Sequence, residues 1–294
     1  MRIAVLADIH GNHVALEQCL KYIEDQKIDT YIFLGDYVGE MPYPQITMKI
    51  LYKLRNTKQC YFISGNKEDY WINYKNSGEK GWMDYHSVTG SLLYSYRNLK
   101  EEDISFMEKL NKMIHLKLEG MPAIKLVHIP PYKELDSKEI HEISIKKQKV
   151  DGTVILCGHR HIQGQIEYEG CSYINPGSVG VSLYSNGKAQ FAIMDYNDGY
   201  WNIDYISLEY DVEKVIREIY EVKLDQHAPC WTRMSIDILK GSCLSHAYGL
   251  NRAMEITKGK YGECVWPNIP EECFEQAVSE MENICGIEKS NITS

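Results

Sequence analysis

The sequence predicts an α/β fold: two β-sheets packed as a sandwich with helices outside, followed by an appended C-terminal helical segment. Three observations predict it. Apolar stretches alternate between strand and helix period through the first sixty-odd residues. Short strands that end in polar residues, and a hairpin signal, fill the middle of the chain. The last ninety residues turn to helical periodicity with no Pro-, Gly- or Ser-rich linker before them.

Residues 2–7 are a short apolar run with β-branched members, the pattern of a strand buried on both faces. Residues 13–27 then place Val14, Ala15, Cys19, Leu20, Tyr22 and Ile23 at helical spacing. A strand at 30–34, a helix at 42–55 and a strand at 61–64 follow. This alternation implies parallel pairing through right-handed crossovers. Residues 70–110 are helical in tone and rich in aromatics. Strands at 114–118 and 123–127 come next, the second ending at His128. A helix near 137–149 leads to a strand at 153–157, which ends in Gly158-His159-Arg160-His161. Short strands near 165–168 and 172–174 precede Asn175-Pro176-Gly177-Ser178. Residues 190–195 and 200–206 flank Asn197-Asp198-Gly199, a strong hairpin signal. The second half therefore reads as a second, more antiparallel sheet. Asp211 suits the cap of a helix with Val212, Val215, Ile216 and Ile219 on one face. Further helices are expected near 232–239, 246–257 and 271–284. The expected division is a core over 1–206 and a helical extension over 207–294 packed on it.

Of the 294 residues, 32 are Lys or Arg and 41 are Asp or Glu, a net charge of −9. A surface of that sign has no generic attraction for a nucleic-acid duplex or an anionic membrane. No stretch approaches the roughly 20 apolar residues that span a bilayer. The N-terminal apolar run breaks at Asp8 without a small-residue cleavage site. Nine cysteines, odd in number and without a CxxC pair, read as reduced thiols rather than a disulfide or zinc framework. A cytoplasmic location is the expectation.

The polar residues at the strand ends carry the chemistry. In open α/β sheets ligands bind in the crevice at the carboxyl ends of the strands. There lie Asp8, His10, Asp36, Asn66, His128, His159 and His161. Two carboxylates, four imidazoles and an amide form a borderline ligand set that suits Mn, Fe, Zn, Co or Ni ions better than Mg or Ca. Asp8 and His10 stand two apart on extended chain, and His159 and His161 repeat that spacing. Asp36, on the middle of the first three strands, is the candidate bridge between two cations.

In order, these residues appear as DIHGN, GDYVG, GNKED, VH and GHRH, with INPGSVG behind them. The ordered set over about residues 1–206 resembles the calcineurin-like metallophosphoesterase superfamily. The opening from Asp8 to Leu16 and the NPGS turn resemble its compact bacterial branch of small phosphodiesterases and diadenosine-polyphosphate hydrolases. The resemblance implies a four-layer α/β/β/α sandwich and a hydrolase with two metals. One metal would take Asp8, His10, Asp36 and His161; the other would take Asp36, Asn66, His128 and His159. It also implies attack on phosphorus by a bridging hydroxide, with Asn12 as a candidate to hold a phosphate oxygen. The implied substrate is a small phosphodiester or nucleotide polyphosphate.

Two departures qualify the likeness. Lys67 follows Gly65-Asn66 where many relatives have a histidine that assists the leaving group. An ordinary lysine, with a pKa of about 10.4, is a poor proton donor at neutral pH but a good partner for an oxyanion. Tyr37-Val38-Gly39-Glu40 supplies neither the second Asp nor the Arg of the protein-phosphatase motif GDxVDRG. The alternatives are a phosphomonoesterase or phosphoprotein phosphatase on the same metals, or a non-catalytic scaffold, which would have lost a ligand. Glu68 is read as a helix cap before an acid, and Arg160 as a contact to substrate or to solvent. His13, His86, His115, His141, His227 and His246 are read as ordinary. Tyr70, Trp71, Tyr74, Trp82 and Tyr85 are read as core or interface filler, with base stacking the rival. Homo-oligomerisation is left open.

Overall fold

In a computed structural model, residues 1–131, 148–150 and 152–292 are described. The N-terminal alternation is as expected: β1 (Arg2–Leu6), α1 (His13–Glu24), β2 (Thr30–Phe33), α2 (Pro44–Thr57), β3 (Gln59–Phe62). The aromatic stretch holds α3 (Asn66–Asn76), α4 (Gly90–Asn98) and α5 (Glu101–Glu108). The strands β4 (Met113–Leu116), β5 (Ile124–Val127), β6 (Gln148–Val150), β7 (Thr153–Leu156), β8 (Gly164–Tyr168) and β9 (Cys171–Asn175) follow. The long hairpin of β10 (Ala189–Asn197) and β11 (Tyr200–Leu208) leads to the C-terminal helices. These are α6 (Val212–Glu221), α7 (Leu224–His227), α8 (Pro229–Leu239), α9 (His246–Tyr261) and α10 (Glu271–Ile292).

Two mixed sheets form, ordered β3-β2-β1-β10-β11-β6 and β4-β5-β7-β9-β8. β1, β2 and β3 pair in parallel, as the crossover argument requires. Successive residues of β1 face opposite ways. Ala4 and Leu6 join Leu16, Cys19, Phe33 and Leu51 under the helices, while Ile3 and Val5 meet Leu126, Val154 and Leu156 of the second sheet. Helices, first sheet and second sheet are thus stacked in layers. The helix expected at 137–149 lies outside the described residues, except that Gln148 and Lys149 are in β6; His141 lies outside them too.

One strand placement corrects the sequence reading. The β10–β11 hairpin belongs to the first sheet, with Ala4 of β1 opposite Ile193 of β10. β1 is buried on both faces and needs a partner on each edge, and that need leaves no local trace in the sequence. The turn itself is as expected. Asp198 and Gly199, both at positive φ, link Asn197 to its partner Tyr200, as a two-residue hairpin turn of matching twist requires.

Asp211 caps α6, its Oδ1 accepting from the Lys214 amide at 2.8 Å. The C-terminal helices bury Val215, Ile219, Trp231, Met234, Phe274 and Val278 in one cluster with Val14, Met41, Val88, Tyr94 and Val181 of the preceding chain. The cysteine reading is corrected here. Cys243 and Cys285 form a disulfide, with Cα atoms 5.9 Å apart. It closes a loop between helices whose contact depends on tertiary packing, which a search for paired motifs does not detect.

Candidate metal centre

The expected ligands sit where β1, β2, β5 and β7 end and α3 begins. Five of the seven, Asp8, His10, Asp36, His159 and His161, have positive φ. This left-handed backbone is uncommon for residues with a Cβ and collects at functional sites, where surrounding bonds hold the strain. Those bonds are present. Asp8, His10 and Gly11 donate backbone N–H groups to the carbonyls of Gly35, Asp36 and Tyr37, locking the first two loops together. The His159 amide donates to the Asp8 carboxylate at 3.0–3.1 Å. Gly65 is required by close packing: a Cβ there would lie 2.2 Å from Asp36 Oδ1.

All seven expected ligands are brought together. His161 Nε2 lies 3.5 Å from Asp8 Oδ1 and 3.0 Å from His10 Nε2, which is 3.7 Å from Asp36 Oδ2. On the other side of Asp36, His128 Nε2 lies 3.5 Å from Oδ2 and 3.0 Å from Asn66 Oδ1. His159 Nδ1 is 2.9 Å from the same Asn66 oxygen. Asp8, His10, Asp36 and His128 are buried, Asn66 and His161 are half-buried, and His159 is exposed at the mouth. Arg160 is half-buried between the last two histidines.

The donor set can be tested for fit to a cation. His10 Nδ1 is 2.7 Å from Glu40 Oε2, His128 Nδ1 is 2.7 Å from the Leu34 carbonyl, and His161 Nδ1 is 2.8 Å from the Val181 carbonyl. An acceptor at Nδ1 places the proton there and leaves Nε2 as a bare lone pair. The lone pairs of His10 and His161 then face each other among carboxylate oxygens, an arrangement that repels itself unless a positive charge lies between. Protons supply that charge in part. Burial would lower His128, but Asp36 and Asp8 raise it to about 10. Burial likewise opposes a charged His161, and Asp8 raises it above its ordinary value. Burial would raise Asp36, yet His128, His10 and Lys67 hold it below the usual carboxylate range. Asp8-His10-His161 and Asp8-Asp36-His128 each bring ligand atoms close enough to hold one ion. The residues fit metal.

The remaining expected residues are placed as follows. Asn12 is tied into the fold: its Oδ1 accepts from Ala15 N at 3.0 Å at the start of α1, and its amide donates to Gly180 O and the Tyr210 hydroxyl. No donor is left for a phosphate oxygen. Glu68 is a cap and more. It accepts from Gly65 N at 2.7 Å, and also from the Asp36 and Tyr37 amides at 3.0 Å each. Lys67 is buried and ion-paired with Glu40. Trp71 and Tyr74 are core, Tyr74 stacks on Trp82 and Tyr70 on Trp266, as filler does; Tyr85 is exposed against His227.

Sequence reasoning missed Glu40 and His246. Glu40 lies in the Tyr37-Val38-Gly39-Glu40 stretch, whose local sequence shows only that the phosphatase Arg is absent. His246, at the start of α9, stacks on Trp231 with ring centroids 4.6 Å apart and shares a 2.8 Å hydrogen bond with Ser235. Burial lowers it to about 3, with Glu40, Lys67, His10 and His161 within electrostatic reach. Nothing local in the sequence carries that approach.

The calcineurin-like phosphoesterase superfamily domain matches residues 1–199. The chain belongs to that superfamily. An uncharacterised protein of Methanocaldococcus jannaschii is 29% identical over 245 residues, covering 76% of this chain and 94% of its own. Two solved structures share the superfamily's fold with it. A hypothetical protein from Pyrococcus horikoshii superposes with a TM-score of 0.62 at 22% identity, over 81% of this chain and 97% of that one. A metallophosphoesterase from Sphaerobacter thermophilus gives 0.56 at 19% identity, over 78% and 99%. Superfamily members are generally metal-dependent hydrolases of phosphoric esters, in accord with the two ligand clusters. Among the described residues no helix is long and apolar enough to cross a membrane.

Proposed function

We propose that the chain is a phosphoesterase that works with two transition-metal ions and acts on small phosphodiesters or nucleotide polyphosphates. The observation that carries this reading is the position of Asp36, one carboxylate oxygen lying between His10 Nε2 at 3.7 Å and His128 Nε2 at 3.5 Å. One group would be held by Asp8, His10, Asp36 and His161, the other by Asp36, Asn66, His128 and His159. When bound, a metal pair supplies Lewis acidity toward phosphoryl oxygens and lowers the pKa of water toward neutrality. The chain's contribution is orientation. Leu34 O, Glu40 and Val181 O fix three rings, and the strained loops hold them against Asp8 and Asp36.

A preference for substrates with an acidic leaving group, over alkyl monoesters, is supported by what surrounds the cluster. Lys67 is committed to Glu40, and Glu68 accepts three backbone N–H groups. His246 is neutral at pH 7. None of the three is placed to lend a proton to an alkoxide. A leaving group that is already acidic, such as a nucleotide phosphate, needs little protonation.

The test is hydrolysis by the purified protein with Mn²⁺, comparing dinucleoside polyphosphates and aryl phosphodiesters with alkyl monophosphates. Faster release from the first two, abolished by chelation and by Asp36→Asn, is expected. Preference for alkyl monoesters, or activity that survives both treatments, contradicts the proposal.

A further inference from the structure

Glu40 and Lys67 are both buried, and their side chains pair directly. The other oxygen of Glu40 accepts from His10 Nδ1 at 2.7 Å. Gly39 leaves room for that contact, since a Cβ there would lie 2.7 Å from His10 Nδ1. The Lys67 ammonium lies 5.4 Å from the ring centre of Trp231 in α8 and 5.7 Å from that of Tyr70. The Lys67 backbone amide donates to Asp36 Oδ1 at 2.8 Å.

We propose that Glu40 and Lys67 are a positioning pair for the metal centre, seated from the C-terminal segment by Trp231. Glu40 holds His10 in one tautomer with Nε2 turned toward Asp8 and Asp36. An ionised carboxylate this far from water needs a counter-charge, and Lys67 supplies it. The aromatic faces of Trp231 and Tyr70 compensate the ammonium for its lost water. Lys67 therefore faces Glu40 rather than a substrate oxyanion, and the C-terminal helices act on the centre through it. The inference rests on the metal-dependent reading above and adds its supporting shell.

The deciding variant is the double substitution Glu40→Gln with Lys67→Met. Neutral residues of similar volume leave no unpaired buried charge, so the fold is retained; far-UV circular dichroism checks this. Mn²⁺ affinity is read by calorimetric titration, and the visible absorption of the Co²⁺-loaded protein reports histidine coordination. Weakening of one site by roughly 10–100-fold, the usual cost of losing an outer partner of a metal-bound histidine, with an altered Co²⁺ spectrum, is expected. The double variant, assayed at saturating Mn²⁺, is expected to keep its KM within about twofold. Trp231→Phe, which keeps an aromatic face against Lys67, is expected to bind Mn²⁺ as the native chain does, and Trp231→Leu, which lacks one, to bind it more weakly. Native-like affinity and spectrum in a folded double variant would overturn the pairing while leaving the metal-dependent reading intact. A large rise in KM for the double variant at saturating metal would also overturn it, by making Lys67 a substrate contact, and native-like Mn²⁺ binding by a folded Trp231→Leu would overturn the seating by Trp231. Absence of Mn²⁺ binding by the native chain would overturn both.

Discussion

Replacing Glu68 should loosen the metal centre without touching a ligand. The carboxylate is fully buried and accepts the backbone N–H groups of Gly65, Asp36 and Tyr37. It thereby joins the loop that carries Asp36 to the turn that carries Asn66. Glu68→Ala leaves three buried donors without partners, each costing about 1–3 kcal/mol. Water entering the vacated space recovers part of that, so a loss of about 3–6 kcal/mol is expected. Glu68→Gln keeps one acceptor oxygen but turns an NH₂ toward a backbone N–H, and about 1–3 kcal/mol is expected. Burial, with Asp36 alongside, raises Glu68 to about 7 against the opposing pull of its three donors. Urea unfolding of the metal-free protein is therefore best measured at pH 8, where the native carboxylate is ionised. The two variants should rank in that order, and both should bind Mn²⁺ more weakly. A Glu68→Ala protein within about 0.5 kcal/mol of native, the range of an uninvolved surface change, would refute the reasoning.

Asn12→Ala should cost about 0.5–2 kcal/mol through loss of the α1 cap and keep a near-native KM in the folded protein; a large rise in KM at saturating metal would restore a phosphate contact. Metal-free protein should lose stability as pH rises toward 10. His128 is raised to about 10 in the folded state from an ordinary 6.5, so its contribution is complete below pH 6.5 and lost through pH 10. Melting temperatures across pH 6–10 in chelator check this, and a rising trend contradicts it. Metal must displace the His128 and His161 protons, so Mn²⁺ binding should release protons and weaken as pH falls, which titration in buffers of different ionisation enthalpy detects. Cys243→Ser should destabilise by about 2–4 kcal/mol, since the disulfide closes a loop of 42 residues' separation; no shift in the urea midpoint contradicts this.

The parts of the fold that were legible are those set by neighbours in the chain. The β1-to-β3 alternation, the Asp211 cap and the Asp198-Gly199 turn each follow from local period or backbone preference. The convergence of the candidate ligands was legible because strand ends place polar residues on one edge, so that Asp8, Asp36 and His128 had only one crevice to enter. The seating of β10 against β1 was not, because an open strand edge exerts its demand at a distance. The Glu40–Lys67 pair and the Cys243–Cys285 bridge were hidden for the same reason. Each partner alone reads as a loop charge or a core thiol, and only packing joins them. The approach of Trp231 and His246 depends on how α8 and α9 dock, which helical periodicity does not specify.

The most direct measurement is anomalous diffraction from crystals grown with Mn²⁺. Two peaks roughly 3.5–4 Å apart, as in other two-metal sites, should flank the Asp36 carboxylate. One should be bound by Asp8, His10 and His161, the other by Asn66, His128 and His159. Saturated crystals with no peak among these side chains, or with peaks held by other residues, would contradict the assignment of this crevice as the site of phosphoester hydrolysis.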